Sequence, residues 1–165
     1  MKTDEIYEPI GRLVVKFQLL EFLVSALTIE LMKQDWDTGF CLTSEMSFSR
    51  LVAALVAVSD VRLPDPQTRD EVRTCAGQLT FCEEGRNKII HSMYFESGGE
   101  LKRAKISAKR GRGLQKTFYD TSPKEVEDHI KRIDETNKQF MQLVRKLKAQ
   151  GFVTDGFFRG ATALA

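Results

Sequence analysis

An arginine and a histidine five residues apart carry the chemistry in this chain that could act on a phosphate group. Residues 83–92 contain Arg86, Asn87 and His91, and His91 is one of only two histidines among the 165 residues. Histidine exchanges a proton near neutral pH, and arginine can hold the charge that builds on phosphorus during a displacement. Together they could cleave an RNA strand by promoting the attack of its own 2′-hydroxyl on the adjacent phosphate. That reaction requires no metal and no cofactor.

The spacing of these residues determines how a helix displays them. At roughly 100° per residue, Glu84, Asn87 and His91 fall on one stripe, whereas Arg86 points roughly 140° away from His91. Arg86 shares its side of the helix with apolar residues, namely Val72, Leu79 and Ile90. An unpaired guanidinium is costly to bury there, so we expect an anion or an interface beside Arg86.

Carboxylates near this segment leave alternatives open. Glu84, on the stripe of His91, is a candidate supporting residue, and so is Glu21, which falls inside an apolar arc of the first predicted helix. Glu21 could pair with Arg86 or another polar residue near the site, or it could lie at the edge of the arc and reach water. Arg86 could form a structural ion pair with Glu83 or Glu21, and His91 could simply cap its helix.

The sequence Arg86-Asn87-x-x-x-His91 resembles the Arg-x4-His motif of the HEPN superfamily. The polar residue after the arginine, the place of the motif on the penultimate long helix, and the long helix that follows support the resemblance. It implies a small helical domain that is, in many members, a metal-independent endoribonuclease acting as a toxin, phage-defence effector or RNA-processing enzyme. His91 would be the general base or acid, Arg86 the phosphate-binding cation and Asn87 an orienting hydrogen-bond group.

The directions of Arg86 and His91 bear on the expected partners. Because the two side chains diverge on one helix, we expect two copies of the motif to meet across a two-fold axis, as they do in that superfamily. The expected partners are RNA, a second copy of the chain and, for a toxin, a neutralising antitoxin. The alternative is a non-catalytic HEPN-like module that binds RNA or scaffolds proteins, and a plain dimerisation module is a third interpretation.

Composition is that of one globular domain. The chain has a mass of 18.8 kDa, with 42% hydrophobic and 29% charged residues, which argues against disorder. Its three cysteines lack Cys-x-x-Cys spacing, which argues against a disulfide framework and a zinc site. The N-terminus shows no secretion signal, and the longest apolar run is too short to span a bilayer. We expect a cytoplasmic protein without a metal or a membrane span.

Apolar periodicity predicts an all-α fold, a bundle of four to five helices in a single domain over residues 1–150, followed by a weakly docked tail over residues 151–165. A loop is expected over residues 34–46. The last helix begins with Ser122 as its cap and Glu125 at the third helical position. The predicted helices span about residues 4–33, 48–58, 68–92 and 122–149.

Two features of the long helices predict how they pack. The first helix is apolar on two sides, so it lies either in the centre of the bundle or between the core and a dimer interface. In the third helix, Gly85 weakens the helix but could admit the close approach of another backbone. His129, among charged residues of the last helix, is expected to be exposed surface.

A basic arm is inserted between the third and last long helices, over about residues 93–119. Two extended segments flank Ser97-Gly98-Gly99 and predict a β-hairpin, and a third extended segment is expected near residues 114–119. Removing the arm's seven basic residues from the 25 of the chain leaves 18 against 23 acidic residues, so the arm carries +7 and the body −5. Such an arm could track phosphates or be a solvated face. The seven candidate RNA-binding residues are Lys102, Arg103, Lys105, Lys109, Arg110, Arg112 and Lys116.

Overall fold

The structure, a computed structural model, describes residues 4–109 and 113–157, except for the side chains of Ala108 and Lys109. This part of the chain is mostly helical, as the apolar periodicity predicts, and carries one antiparallel sheet. A short 3-10 turn, Asp4–Ile6, precedes the first helix. The other elements are α1 (Tyr7–Met32), α2 (Trp36–Thr43), α3 (Phe48–Arg62), α4 (Pro66–Ile90), β1 (Met93–Ser97), β2 (Glu100–Lys109), β3 (Gly113–Asp120) and α5 (Pro123–Ala149).

Helix α1 contacts all the other α-helices and carries much of the core. Leu13, Leu20 and Leu27 are fully buried on its first apolar side. The second apolar side divides in two: its later residues are buried, whereas Val15 is 70% exposed and Leu19 37% exposed. The prediction of two apolar sides is therefore confirmed for the packing of the later half, and the earlier half leaves an apolar stripe on the surface.

Helix α2 replaces the loop expected over residues 34–46, so that prediction was wrong. Its first turn is capped by Asp35, whose carboxylate accepts from the backbone N–H of Thr38 at 3.0 Å. Gly39 packs directly on Ile29, where a Cβ atom would lie 2.5 Å from that side chain. These turn-forming residues act as a helix cap and a close-packing position instead. Phe40 stacks on Phe22 of α1, with ring centroids 5.8 Å apart, and covers part of the second apolar side.

Helix α3 is longer than the apolar pattern indicates, and α4 is shifted by about two residues towards the N-terminus of the chain. Helix α3 continues to Arg62, one turn beyond its predicted end. Helix α4 begins at Pro66, because a proline at the first helical position lacks only an N–H that would have no partner within the helix. The carboxylate of Asp65 caps it by accepting from the backbone N–H groups of Gln67 and Thr68.

The inserted arm is a three-stranded antiparallel sheet in the order β1-β2-β3, so the expected hairpin is extended by the third segment. Gly98 and Gly99 adopt positive φ angles of 63° and 77° in the turn between β1 and β2. Strand β1 pairs only with residues 100–104 of β2, whereas β3 pairs with residues 102–109. The outer half of the sheet is therefore a two-stranded ribbon.

Helix α5 begins and ends where the sequence predicts. The Ser122 hydroxyl accepts from the backbone N–H of Glu125 at 3.4 Å, which confirms the cap. The helix packs along α1 and α4, and Lys146 binds Glu71 of α4 at 2.7 Å. Beyond α5, the described part of the tail is docked more firmly than expected, since Phe157 is fully buried. Among the described helices, none has both the length and the apolar character needed to cross a bilayer.

Candidate functional site around Arg86 and His91

Arg86 projects from α4 towards α1, on the apolar side that its spacing predicts. Its guanidinium carbon lies 5.2 Å from the centroid of the Phe17 ring. Its Nη1 donates to Oδ1 of Asn87 at 2.9 Å. Its Nε is buried and has no hydrogen-bond partner among the described residues. The guanidinium is thus oriented by a ring and an amide, and it retains unused donor capacity.

No carboxylate neutralises Arg86 directly within the described part of the chain. Neither Glu83 nor Glu21 comes within the 4.0 Å of an ion pair with it; Glu21 instead accepts from Nε2 of Gln18 at 3.2 Å. The structural ion pairs considered for Arg86 are therefore not formed. A cation with a buried donor and no bonded counter-ion is equipped to bind an anion.

Glu83 completes this group of polar residues and was not recognised as a site residue from the sequence. Burial raises the pKa of its carboxyl, and the negative charges of Glu21 and Glu84 add to that rise. The backbone N–H of Ser49, in the first turn of α3, and the Arg86 guanidinium lower the pKa of the same carboxyl in part. A carboxyl held against its ionised form beside a cation is typical of functional sites.

His91 occupies a different environment at the carboxyl end of α4. Its backbone N–H bonds to the carbonyl oxygen of Asn87 at 3.2 Å, which ends the helix. Its side chain is exposed, as is that of Glu84, and within one described chain the imidazole bonds to neither Arg86 nor Asn87. The structure therefore brings Arg86 and Asn87 together and leaves His91 free to meet another molecule.

The second histidine lies in a close contact between α5 and α4. His129 is half-buried, and its Nε2 lies 3.0 Å from the carbonyl oxygen of Cys82. Burial lowers its pKa, and the charges of Arg132 and Lys88 lower that pKa further. The expectation that His129 is exposed was therefore wrong, because α5 turns this residue towards α4.

Gly85 makes the close contact with His129 possible. A Cβ atom at Gly85 would lie only 2.0 Å from Cε1 of the imidazole. The approaching group is thus a side chain and not the backbone expected from the sequence. A glycine within a long helix was the available signal for this contact, but the sequence alone did not identify its partner.

Arg103 of the basic arm is part of the structural base of the sheet. It is 7% exposed, and its Nη2 lies 2.8 Å from Oε1 of Glu125. Its guanidinium carbon lies 5.1 Å from the centroid of the Tyr119 ring, which is its neighbour across the strands. The sequence groups Arg103 with the phosphate-binding residues. A carboxylate and a ring already hold this side chain, although its Nε and Nη1, like the Nε of Arg86, are buried without a hydrogen-bond partner among the described residues. Arg103 differs from Arg86 in having a bonded carboxylate.

The other basic residues of the arm differ in how free they are. Lys102 lies 3.9 Å from Glu100 and 3.7 Å from Asp120, so acids flank it at the inner end of the sheet. Lys105 is half-buried and Lys116 exposed, and neither has an ion pair in the described part of the chain. Three of the seven predicted residues, Lys109 by its side chain and Arg110 and Arg112 entirely, lie outside the described part.

The described residues include no group of three or more His, Cys, Asp or Glu side chains arranged to hold a metal ion. Comparison with family models, curated proteins and solved structures gives no significant match for this chain. The interpretation of the site therefore depends on the contacts of Arg86, Asn87 and His91 themselves.

Proposed function

We propose that this protein is an endoribonuclease of HEPN type that cleaves RNA without a metal ion. The observation that carries the proposal is Arg86, whose guanidinium has a buried unpaired donor and no carboxylate within ion-pair distance among the described residues. Five residues later, His91 presents an exposed imidazole. In this proposal α1, α3, α4 and α5 form a HEPN-type bundle within a single domain over residues 1–150.

The chemistry assigns one role to each side chain. His91 takes the proton of a ribose 2′-hydroxyl, and the resulting oxygen attacks the adjacent phosphorus. The bond from phosphorus to the 5′-oxygen breaks, which leaves a 2′,3′-cyclic phosphate on one fragment. Arg86 holds the charge on the non-bridging oxygens, and Asn87 keeps its guanidinium in place through their 2.9 Å bond. The departing 5′-oxygen takes a proton from solvent water and becomes the 5′-hydroxyl of the other fragment, and His91 returns its proton to solvent.

A homodimer would bring together His91 and Arg86, whose side chains do not meet within one chain. A second copy across a two-fold axis would place His91 of one chain near Arg86 of the other. The exposed apolar residues of α1 support such an assembly, because the described part of the chain covers them only in part. These residues are Tyr7, Val14, Val15 and Leu19, with exposed fractions of 60%, 38%, 70% and 37%.

Light scattering tests the assembly. A mass of twice 18.8 kDa at micromolar concentrations is expected. A single-chain mass across that range would contradict a site shared between two copies. A Val15→Lys variant should shift the population to single chains and lose cleavage together with dimer formation, since the charge would lie in the interface.

The activity is tested on a labelled single-stranded RNA in excess EDTA. The wild-type protein should produce fragments with 2′,3′-cyclic phosphate and 5′-hydroxyl ends, and Arg86→Ala and His91→Ala should each lose this activity while their circular dichroism spectra remain unchanged. Arg145→Ala is the matched control, because Arg145 is an exposed arginine on α5, far along the chain from the motif. Wild-type cleavage that disappears with EDTA would contradict the mechanism.

The second candidate is a non-catalytic HEPN-like protein that binds RNA or scaffolds other proteins. The observation that favours it is the inserted sheet, which provides a working surface that does not involve His91. Wild-type protein that binds RNA but releases no fragments under any condition would favour this candidate. The nuclease proposal also covers a role as a toxin or phage-defence effector in the cytoplasm. In that role, expression of the wild-type protein should arrest growth, a neutralising antitoxin should relieve the arrest, and expression of His91→Ala should be harmless.

A further inference from the structure

The two faces of the inserted sheet have different surroundings. Side chains alternate between the faces along each strand, and residues paired across strands share a face. Tyr94, Arg103 and Tyr119 form one such rank. The Tyr94 hydroxyl donates to the carbonyl oxygen of Ile89, and Arg103 binds Glu125. The inner end of this face therefore packs against the ends of α4 and α5, and the opposite face points away from the helices.

We call that opposite face the outer face. Its middle rank consists of Met93, Ala104 and Phe118, paired across the three strands. Ala104 is 2% exposed, so the accessible apolar surface of this rank belongs to Met93 and Phe118 beside it, which are 57% and 63% exposed. Phe95, in the next rank, meets Phe118 edge to face with ring centroids 6.3 Å apart. An exposed ring, Phe118, thus meets a half-buried ring, Phe95, on the outer face.

The apolar surface continues along the ribbon, where positive charge accompanies it. Ile106 and Leu114 are 52% and 64% exposed on the same face. Lys116 is paired with Ile106 across the strands, so it also projects from the outer face. Lys102 lies at the inner end of that face, between Glu100 and Asp120. Since residues 101–116 contain no acid, positive charge predominates towards the outer end.

We infer that the outer face binds single-stranded RNA by stacking bases on Phe118 and Phe95 while Lys116 contacts the backbone phosphate. The inference deepens the proposed function and rests on it for the identity of the ligand as RNA. Exposed aromatic rings beside lysines are the combination that binds unpaired bases, because each base offers a face and each phosphate a charge. A base-paired duplex hides those base faces, so the outer face selects single strands.

Binding is measured by fluorescence anisotropy with a labelled 12-nucleotide RNA, with every protein carrying His91→Ala so that the probe stays intact. Phe118→Ala should weaken binding by roughly 5- to 100-fold, the cost of losing one stacked base. Phe81→Ala is the matched control, because Phe81 is also half-exposed, at 50%, but lies on α4. This control should bind as the parent does. The same strand annealed to its complement should bind more weakly than the single strand.

Salt dependence separates stacking from charge. Lys116→Gln should reduce the slope of log affinity against log salt by about 0.7, the value for one phosphate on a single strand. Phe118→Ala should weaken binding at every salt concentration and leave that slope unchanged. If Phe118→Ala instead changes the slope as much as Lys116→Gln does, the ring affects binding through the phosphate contacts, and the stacking inference is overturned.

Other outcomes would also overturn the inference. The inference fails if Phe118→Ala binds RNA as tightly as the parent, or if duplex and single strand bind equally well. It also fails if Phe118→Ala changes the mass measured by light scattering, because the outer face would then be a contact between copies. Cleavage assays on proteins with His91 intact distinguish this failure from failure of the proposed function. RNA binding that depends on Phe118 without any cleavage would support the outer face and remove the nuclease. Cleavage that is unaffected by Phe118→Ala would support the nuclease and remove the outer face as its RNA-binding surface.

Discussion

Helix α4 packs on two sides. On one side its buried polar groups have hydrogen-bond partners, and on the other side some of them lack partners in the described part of the chain. On the side of α5, Nε2 of His129 bonds to the carbonyl oxygen of Cys82, and the Cys82 sulfur lies 3.3 Å from the Thr136 hydroxyl. On the side of α1 and α3, Arg86 retains an unpaired buried donor, and burial raises the pKa of the Glu83 carboxyl. Folding alone explains satisfied partners, whereas unsatisfied polar groups in a native protein call for a ligand or another role.

The largest effect should come from a conservative change on the open side. Arg86→Lys keeps the charge but removes the planar fork that binds two phosphate oxygens, so cleavage should fall by about 100-fold with thermal stability unchanged. His129→Asn, on the matched side, should lower thermal stability and leave the cleavage rate per folded molecule intact. Parent activity in Arg86→Lys would indicate that Arg86 acts through charge alone or not at all.

Adding a single methyl group tests the matched side. Gly85→Ala should reduce the free energy of unfolding by about 2 kcal/mol, because the new Cβ displaces the His129 ring and breaks its bond to Cys82. Gly77→Ala, in the same helix with nothing within 4 Å of its Cβ, should instead increase that free energy by up to about 1 kcal/mol. Urea unfolding measures both values.

A second substitution identifies the cause of the Gly85→Ala effect. Combined with His129→Ala, Gly85→Ala should cost much less than it does alone, since the space of the ring is then empty. If Gly85→Ala and Gly77→Ala shift the urea midpoint in the same direction, the close contact between α4 and α5 is not as described.

Arg103 and Arg86 extend the comparison to two arginines that both lie over a ring. Arg103→Met should lower the free energy of unfolding by about 1 to 2 kcal/mol, because Glu125 then loses its charged partner at 2.8 Å and keeps only the Thr121 hydroxyl among the described residues. Arg86→Met leaves no bonded carboxylate behind and should change that free energy by less than about 0.5 kcal/mol. Equal losses in the two variants would mean that Arg86 is as structural as Arg103.

The smallest effect expected is a pH dependence with opposite signs on the two sides of α4. The pKa of His129 is lowered by burial from 6.5, so below that pH the unfolded chain binds a proton that the folded chain does not, and stability falls on acidification. The raised pKa of Glu83 acts in the opposite sense, since stability falls as pH rises above 4.5 through the folded value.

Substitutions separate the two contributions to the pH profile of unfolding. His129→Gln should flatten the profile as pH falls below 6.5. Glu83→Gln should increase stability at pH 7 by less than about 0.5 kcal/mol, because the residue is only partly buried and solvent screens it. A pH profile unchanged by His129→Gln would show that other groups dominate this range.

The predictions that depend on one helix or one hairpin are the ones the structure confirms. Helix α5 is located correctly by the Ser122 cap and its apolar periodicity, and the direction of Arg86 follows from the turn per residue. Helix α2 was missed because the same residue types form turns and helix caps, and its Gly39 is explained only by contact with Ile29. Local sequence does not contain that contact.

The remaining errors at the site have a similar origin. The place of His129 depends on how α5 packs on α4, and the burial of Arg103 depends on both Tyr119 across the strands and Glu125 on α5. A pattern of charges indicates where basic residues cluster but not which of them docks inward. Nothing in one chain's sequence shows how two copies meet, so the composite site stays a prediction.

The three cysteines differ in their chemical accessibility. Burial raises the pKa of Cys75 to about 12 and also raises the pKa of the buried Cys82, so both thiols resist alkylation. Cys41, on α2, is exposed. A maleimide or nitroxide reagent should therefore modify the native chain at one position without any substitution. A spin label at Cys41 would then report the distance between copies in a dimer, which provides a ruler for the arrangement that the composite site requires.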